Sequence, residues 1–158
     1  MVPAAGYNQD KFNISQSMQR LDELIQNTPG LLRKLDDQEL HDKPAPGKWS
    51  KQEILGHLVD SALNNLKRFT ETQFLPQPFK IISYQQDELV TVNNYQNLPL
   101  DHLIQLWQAL NRQIIYVVKN VPAEKLEFRV DPQYENKEMK TLGWVIADYV
   151  AHMEHHFR

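Results

Sequence analysis

Cysteine is absent from the 158 residues, which excludes disulfides, thiolate metal sites, iron–sulfur clusters and cysteine nucleophiles together. Any metal must therefore rest on nitrogen and oxygen. No run nears the ~18 apolar residues of a membrane helix, and Met1 to Asp10 lacks the charged start and apolar stretch of a secretory signal. The expected compartment is the cytoplasm, without a membrane partner. An excess of one charge is also missing: 17 Lys plus Arg stand against 20 Asp plus Glu, a net −3 spread along the chain. A nucleic-acid partner is not expected from that distribution. Internal repeats and low-complexity tracts are absent as well.

The length fits one domain covering residues 1–158. Residues 1–9, polar and carrying Pro3 and Gly6, read as a loose N-terminal arm. Ile14, Met18, Leu21 and Ile25 then share one helical face, and Pro29-Gly30 marks an end, giving helix one over about 10–27. Leu31 to Leu35 allow a short helical turn before Pro44, Pro46 and Gly47. Ser50 and Glu53 form a capping box that opens helix two, about 50–74, whose stripe runs through Ile54, Leu58, Ala62, Leu66 and Phe69. Residues 75–99 show no helical period and read as a long connection crossing the bundle. Asp101 is the expected cap of helix three, which ends at Pro122, with Leu103, Trp107, Leu110, Ile114 and Val117 on its face. Leu126–Val130 and Glu138–Thr141 predict a short extended hairpin. Helix four starts at Thr141 and runs to the chain end. The fold class is all-α, a four-helix bundle with a long crossover between helices two and three.

Histidine is the unusual presence. Of six, three (His152, His155 and His156) fall in the last seven residues. His152 and His156 are four apart, so on a helix their rings lie one turn apart on the same side, within reach of one ion. At ~100° per residue, His156 lies about 40° and Tyr149 about 60° from His152, at the edge of the core stripe, whereas His155 falls about 60° the other way. That other side, shared with Asp148 and Trp144, is the expected solvent side. His57, with Ser61 and Asn64, makes a polar edge beside the apolar stripe of helix two. Should helices two and four be neighbours, His57 closes a three-histidine set with His152 and His156. Three neutral nitrogens leave a position open for water or substrate, the pattern of a catalytic rather than a closed structural site. An i, i+4 pair also arises by chance, so an ordinary helix edge stays an alternative. His41 and His102 read as surface residues.

The order Pro44-Ala45-Pro46-Gly47-Lys48-Trp49-Ser50, then Glu53-Ile54-Leu55-Gly56-His57-Leu58-Val59-Asp60-Ser61, resembles the DinB-like superfamily. Tyr84-Gln85-Gln86-Asp87, Val92-Asn93-Asn94-Tyr95, Thr141-Leu142-Gly143-Trp144 and His152-Met153-Glu154-His155-His156 extend the resemblance over about 12–158. Within that superfamily the chain resembles the YfiT-like branch of metal-dependent hydrolases and bacillithiol S-transferases. The resemblance implies a four-helix bundle, a homodimer, and one divalent ion, usually nickel or zinc, held by a histidine of helix two and an H-x-x-x-H pair of helix four. Those positions match His57, His152 and His156. In the family the last helix generally continues past the second histidine, whereas this chain reaches Arg158 two residues later, where a helix end either frays or is docked.

The function expected is metal-dependent activation of a low-molecular-weight thiol, or of water, for attack on a small electrophilic substrate. A protein without cysteine would take such a thiol from solution. The competing reading is a non-enzymatic, metal-stabilised bundle that serves binding or stress response. Asp60, Ser61 and Asn64 are the expected residues for orienting a ligand or an imidazole N–H, the alternative being ordinary polar residues at a helix edge. Asp87, Asn93 and Asn94 are expected at the pocket mouth, and Trp49, Trp107 and Trp144 in packing. Glu154 is expected to face away from the histidine pair.

Overall fold

The computed structural model describes residues 5–133, 136 and 138–157. Four long helices form the frame: α1 (Ala5–Arg33), α3 (Lys51–Glu71), α5 (Leu100–Lys119) and α6 (Leu142–His156). Two short ones, α2 (Asp37–His41) and α4 (Gln86–Val92), sit in the connections. The helix packing is α3 against α5, α1 against α5 and α6, and α3 against α6. A single apolar core collects Leu21, Leu58, Phe69, Trp107 and Ile146 from all four frame helices, each at 1% exposure or less. No helix among the described residues is long and apolar enough to cross a membrane.

The caps at α3 and α6 follow the local signals. Ser50 Oγ accepts from the Glu53 amide at 3.1 Å and Glu53 accepts from the Ser50 amide at 2.9 Å. Thr141 Oγ1 accepts from the Trp144 amide at 3.1 Å. A second capping box, Asp36 with Glu39, starts α2 and replaces the turn expected at 31–35, of which residues 31–33 belong to α1.

Helix α1 corrects two expectations. It runs from Ala5, so the loose arm expected over residues 1–9 is helix from that point, since no proline or glycine interrupts Tyr7 to Thr28; residues 1–4 lie outside the described residues. Pro29 does not end it. A proline inside a helix leaves the carbonyl four residues back without a donor; here Gln108 Nε2 of α5 donates to that carbonyl, Ile25 O, at 2.7 Å. With the missing bond replaced, the helix continues to Arg33 and buries Leu32.

Asp101 is not the cap of α5. Pro99 holds that place in extended geometry, and the Asp101 carboxylate in the first turn accepts from Arg33 Nε at 2.9 Å. The crossing chain is also less irregular than expected, holding α4, a 3-10 turn at Tyr95–Asn97, and strand β1 (Phe79–Lys80). Helix α4 buries Val90 alone among its residues, too little for a period to show in the sequence. The hairpin pairs β2 (Arg129–Asp131) with β3 (Lys140–Thr141) antiparallel, and β1 adds to β2 in parallel, Phe79 opposite Val130. A 3-10 turn occupies Ala123–Glu127, the start of the first extended piece. The small sheet thereby fastens the crossing chain beside the N-terminus of α6.

Candidate metal centre

The packing of α3 on α6 brings His57, His152 and His156 together. One ring nitrogen of each lies within 4.8 Å of those of the other two. His152 Nε2 and His156 Nε2 are 3.3 Å apart. Two nitrogens bound at about 2.0–2.1 Å to a tetrahedral ion stand about 3.3–3.4 Å from each other, so the pair already has the spacing an ion demands. The His57 ring meets that of His156 edge-on at 5.2 Å, and its buried Nδ1 has no hydrogen-bond partner. A buried polar atom without a partner is costly unless a ligand satisfies it. These observations fit a cation held by three imidazoles.

Electrostatics favour the ligating form. The His57 pKa is lowered to about 4, first by burial and then by the nearby His156 and His152, with Asp87 opposing them. His156 is lowered too, first by burial and then by His152 and His155. Neutral imidazole is the form that binds metal. The surroundings grade from dry to wet: His57 is 2% exposed, His156 half-buried and His152 open to solvent.

Trp49, expected in packing, lies against the His57 ring at 4.8 Å and fixes its plane. Trp107 is core, and Phe157 docks on it at 5.7 Å, so the α6 end is held. Glu154 pairs with Arg20 of α1, facing away from the histidine pair. His155 is exposed, its ring 6.4 Å from that of His156.

The three residues expected to orient ligands occupy different places. Asp60 is buried, accepts from Tyr95 Oη at 2.6 Å through Oδ1, and leaves Oδ2 without a partner. Its pKa is raised by burial, with the Tyr95 bond opposing. Ser61 lies in the wall of a cavity of about 300 Å³ that opens beside His152. Asn64 Nδ2 bonds back to the Asp60 carbonyl of its own helix at 2.9 Å. Asn93 Nδ2 donates to Tyr95 Oη at 3.3 Å, and Asn94 takes the left-handed conformation, φ 55°, that starts the following 3-10 turn.

The same cavity is walled by Asn65, Tyr84, Trp144 and Asp148. Asp148 is exposed, as expected of this side of α6, whereas Trp144 is half-buried there; both line the cavity. Asp148 stands one turn before His152, and burial raises its pKa while His152 and Lys140 oppose. Lys140 Nζ lies 4.4 Å from the centre of the Trp144 ring. The spacing Asp148 to His152 was the signal in the sequence for this neighbour; Tyr84 was marked only by the resemblance carried by Tyr84-Gln85-Gln86-Asp87, because its place depends on the crossing chain.

The profile of the DinB superfamily matches residues 20–158. A protein of Halalkalibacterium halodurans, described as a candidate metal-dependent hydrolase, is 27% identical over 122 residues, 77% of this chain and 69% of that one. Among solved structures, YfiT from Bacillus subtilis superimposes with a TM-score of 0.81 at 20% identity, covering 90% of this chain and 81% of its own. It too is described as a candidate metal-dependent hydrolase, with an unusual four-helix-bundle topology. A mycothiol-dependent maleylpyruvate isomerase shares the fold at a TM-score of 0.63 and 10% identity, over 87% of this chain and 57% of that protein.

Proposed function

The chain belongs to the DinB superfamily, and from that premise we propose that it is a metal-dependent enzyme acting on a small electrophilic substrate. The proposed ligands are His57, His152 and His156, and the proposed ion is zinc or nickel, since three imidazoles without thiolate suit either. When bound, a divalent ion there supplies Lewis-acid activation of a water or thiol nucleophile. The observation that carries the reading is the 3.3 Å separation of His152 Nε2 and His156 Nε2 beside the unpartnered, buried His57 Nδ1.

The protein's own side chains supply the rest. Trp49 against His57 and the α3–α6 contact hold the three rings without help from an ion. Tyr95 fixes Asp60 one turn along α3 from His57. On the wet side, Asp148 beside His152 is placed to take a proton from a nucleophile entering the cavity, and Ser61 and Asn65 offer polar contacts to a substrate. Hydrolysis is supported by the descriptions of the two bacterial relatives. Thiol transfer is supported by the absence of cysteine in this chain and by the shared fold of a mycothiol-dependent enzyme. We further propose a cytoplasmic homodimer, for which the measurement is mass in solution.

The test is the rate with zinc- and nickel-loaded protein toward a generic electrophile, with a panel of low-molecular-weight thiols and with water alone. A rate that disappears with the metal in His57→Ala and His156→Ala is the expected result. Unchanged metal content and unchanged rates in both variants would overturn the enzyme reading. Loss of metal that lowers only thermal stability would instead establish the ion as structural.

A further inference from the structure

Two tyrosines line the cavity of about 300 Å³ beside His152, and their hydroxyls are engaged differently. Tyr149 Oη donates to Asn111 Oδ1 at 2.6 Å, and the side chain is closed off in the core. Tyr84 is half-buried and comes from the crossing chain. Its ring is steadied by Arg68, whose guanidinium lies 5.6 Å from the ring centre while Nη2 donates to the Ile82 carbonyl at 3.0 Å.

A chain of hydrogen bonds on α3 sets the direction of the Tyr84 hydroxyl. Asn65 Nδ2 donates to the Ser61 carbonyl at 2.8 Å and to Ser61 Oγ at 3.4 Å. Ser61 in turn hydrogen-bonds the Tyr84 hydroxyl and works to lower its pKa, which is the effect of a donor on a phenol. With its oxygen accepting from Ser61, Tyr84 keeps its own hydrogen to give. No acceptor for that hydrogen stands among the described residues. Burial outweighs Ser61 and raises the Tyr84 pKa, so the group is a neutral donor at neutral pH.

The place of this donor follows from helical spacing. Ser61 comes four residues after His57 on α3, and Asp148 comes four before His152 on α6. Four residues rise about 6 Å along a helix. The cavity therefore begins one turn from the histidines on both helices, the distance over which a reacting atom near the rings can carry a second atom to Tyr84.

We propose that Tyr84 is a catalytic residue of this centre and that the electrophile is an acyl compound, an ester or amide, whose carbonyl oxygen the Tyr84 hydroxyl holds. The nucleophile, losing its proton to Asp148, forms a bond to the carbonyl carbon, and the carbonyl π pair moves onto the oxygen bound by Tyr84. Return of that pair expels the leaving group, which takes the proton from Asp148. A donor fixed where an oxygen gains charge lowers the barrier to such an addition; an alkyl halide, with no oxygen at its reacting carbon, would leave it idle. The proposal rests on the metal-centre reading for the nucleophile.

The test is calorimetric binding of acetohydroxamic acid to the zinc-loaded full chain. This small acyl probe enters neutral and, on losing its proton, places negative charge on its carbonyl oxygen, as the adduct does. Tyr84→Phe keeps the ring beside Arg68 and removes only the hydroxyl. It should weaken the probe about tenfold or more, as expected for a lost hydrogen bond to a charged group, with zinc content unchanged. In protein carrying 3-fluorotyrosine at its six tyrosines, the fluorine resonance missing from Tyr84→Phe should shift as the probe saturates the parent chain. Affinity in Tyr84→Phe within about twofold of the parent overturns the proposal, and so does a Tyr84 resonance that stays in place when the probe is bound. Zinc that fails to bind overturns the metal-centre reading and this proposal with it; zinc and probe that bind while Tyr84→Phe matches the parent overturn the role of Tyr84 alone.

Discussion

Gly56→Ala and Gly30→Ala make the same chemical change in two helices and should move stability in opposite directions. A Cβ at Gly56 would overlap the Tyr95 ring and its Cβ, and the Tyr95 side chain is 6% exposed with its hydroxyl bound to Asp60. Because the clash includes the Tyr95 Cβ, rotating the ring does not relieve it. Overpacking of this kind costs ~1–3 kcal/mol. Pulling the hydroxyl from a buried carboxyl adds ~1–3 kcal/mol, and the better helix propensity of alanine returns ~1 kcal/mol. The net expectation is a loss of about 3 kcal/mol, in a range of roughly 1–5. At Gly30 of α1 an added Cβ meets nothing within 4 Å, so only the propensity gain of up to ~1 kcal/mol remains. Urea denaturation of the metal-free protein, read as a midpoint shift at constant slope, measures both. If Gly56→Ala lies within ~0.5 kcal/mol of the parent chain, or both variants shift alike, the close approach of Tyr95 to α3 is wrong.

Gln108→Ala should leave the Ile25 carbonyl beneath Pro29 without a donor, costing ~1–3 kcal/mol in the same denaturation assay; an effect near zero would mean the α1–α5 contact does not carry α1 through its proline. Metal-free protein should lose stability as pH falls from 6.5 toward 4. Above that window His57 is neutral in both states, whereas inside it the unfolded chain takes a proton that the buried ring, with its pKa near 4, refuses. The loss is up to ~3 kcal/mol, and denaturation midpoints across pH should show it flattened in His57→Gln. Asp60→Asn should keep the Tyr95 contact in a neutral form and leave metal content unchanged, while Tyr95→Phe should lower stability by ~1–2 kcal/mol; lost metal in the Asp60 variant, measured by elemental analysis, would show that Asp60 acts on the ion itself.

What could be read in advance was whatever depends on neighbours in sequence. Ser50 with Glu53, and Thr141 before α6, are local caps, and the structure forms both. The meeting of His57, His152 and His156 was legible only conditionally: helical phase puts His152 and His156 on one face and His57 at the border of another stripe, but that these two helices are neighbours had to be assumed, and the α3–α6 packing supplies it. Pro29 was misleading for the opposite reason: the donor that repairs the helix, Gln108, lies 83 residues from Ile25. Asp36 with Glu39 carried a readable capping signal for α2, hidden among the prolines that follow. Trp49 on His57, and Tyr84, Trp144 and Asp148 around the cavity, required the path of the crossing chain and the α3–α6 contact. The small sheet that fixes that path pairs strands of two and three residues, too short for an alternating pattern to stand out.

The most direct test of the metal centre is the number of divalent ions per chain, by elemental analysis of protein dialysed after incubation with zinc or nickel at neutral pH. The geometry predicts about one ion per chain in the parent protein, and close to none in His57→Ala and His156→Ala that keep the helical content of the fold. A parent protein that holds no ion, or variants that hold as much as the parent, would contradict a centre built on these three histidines.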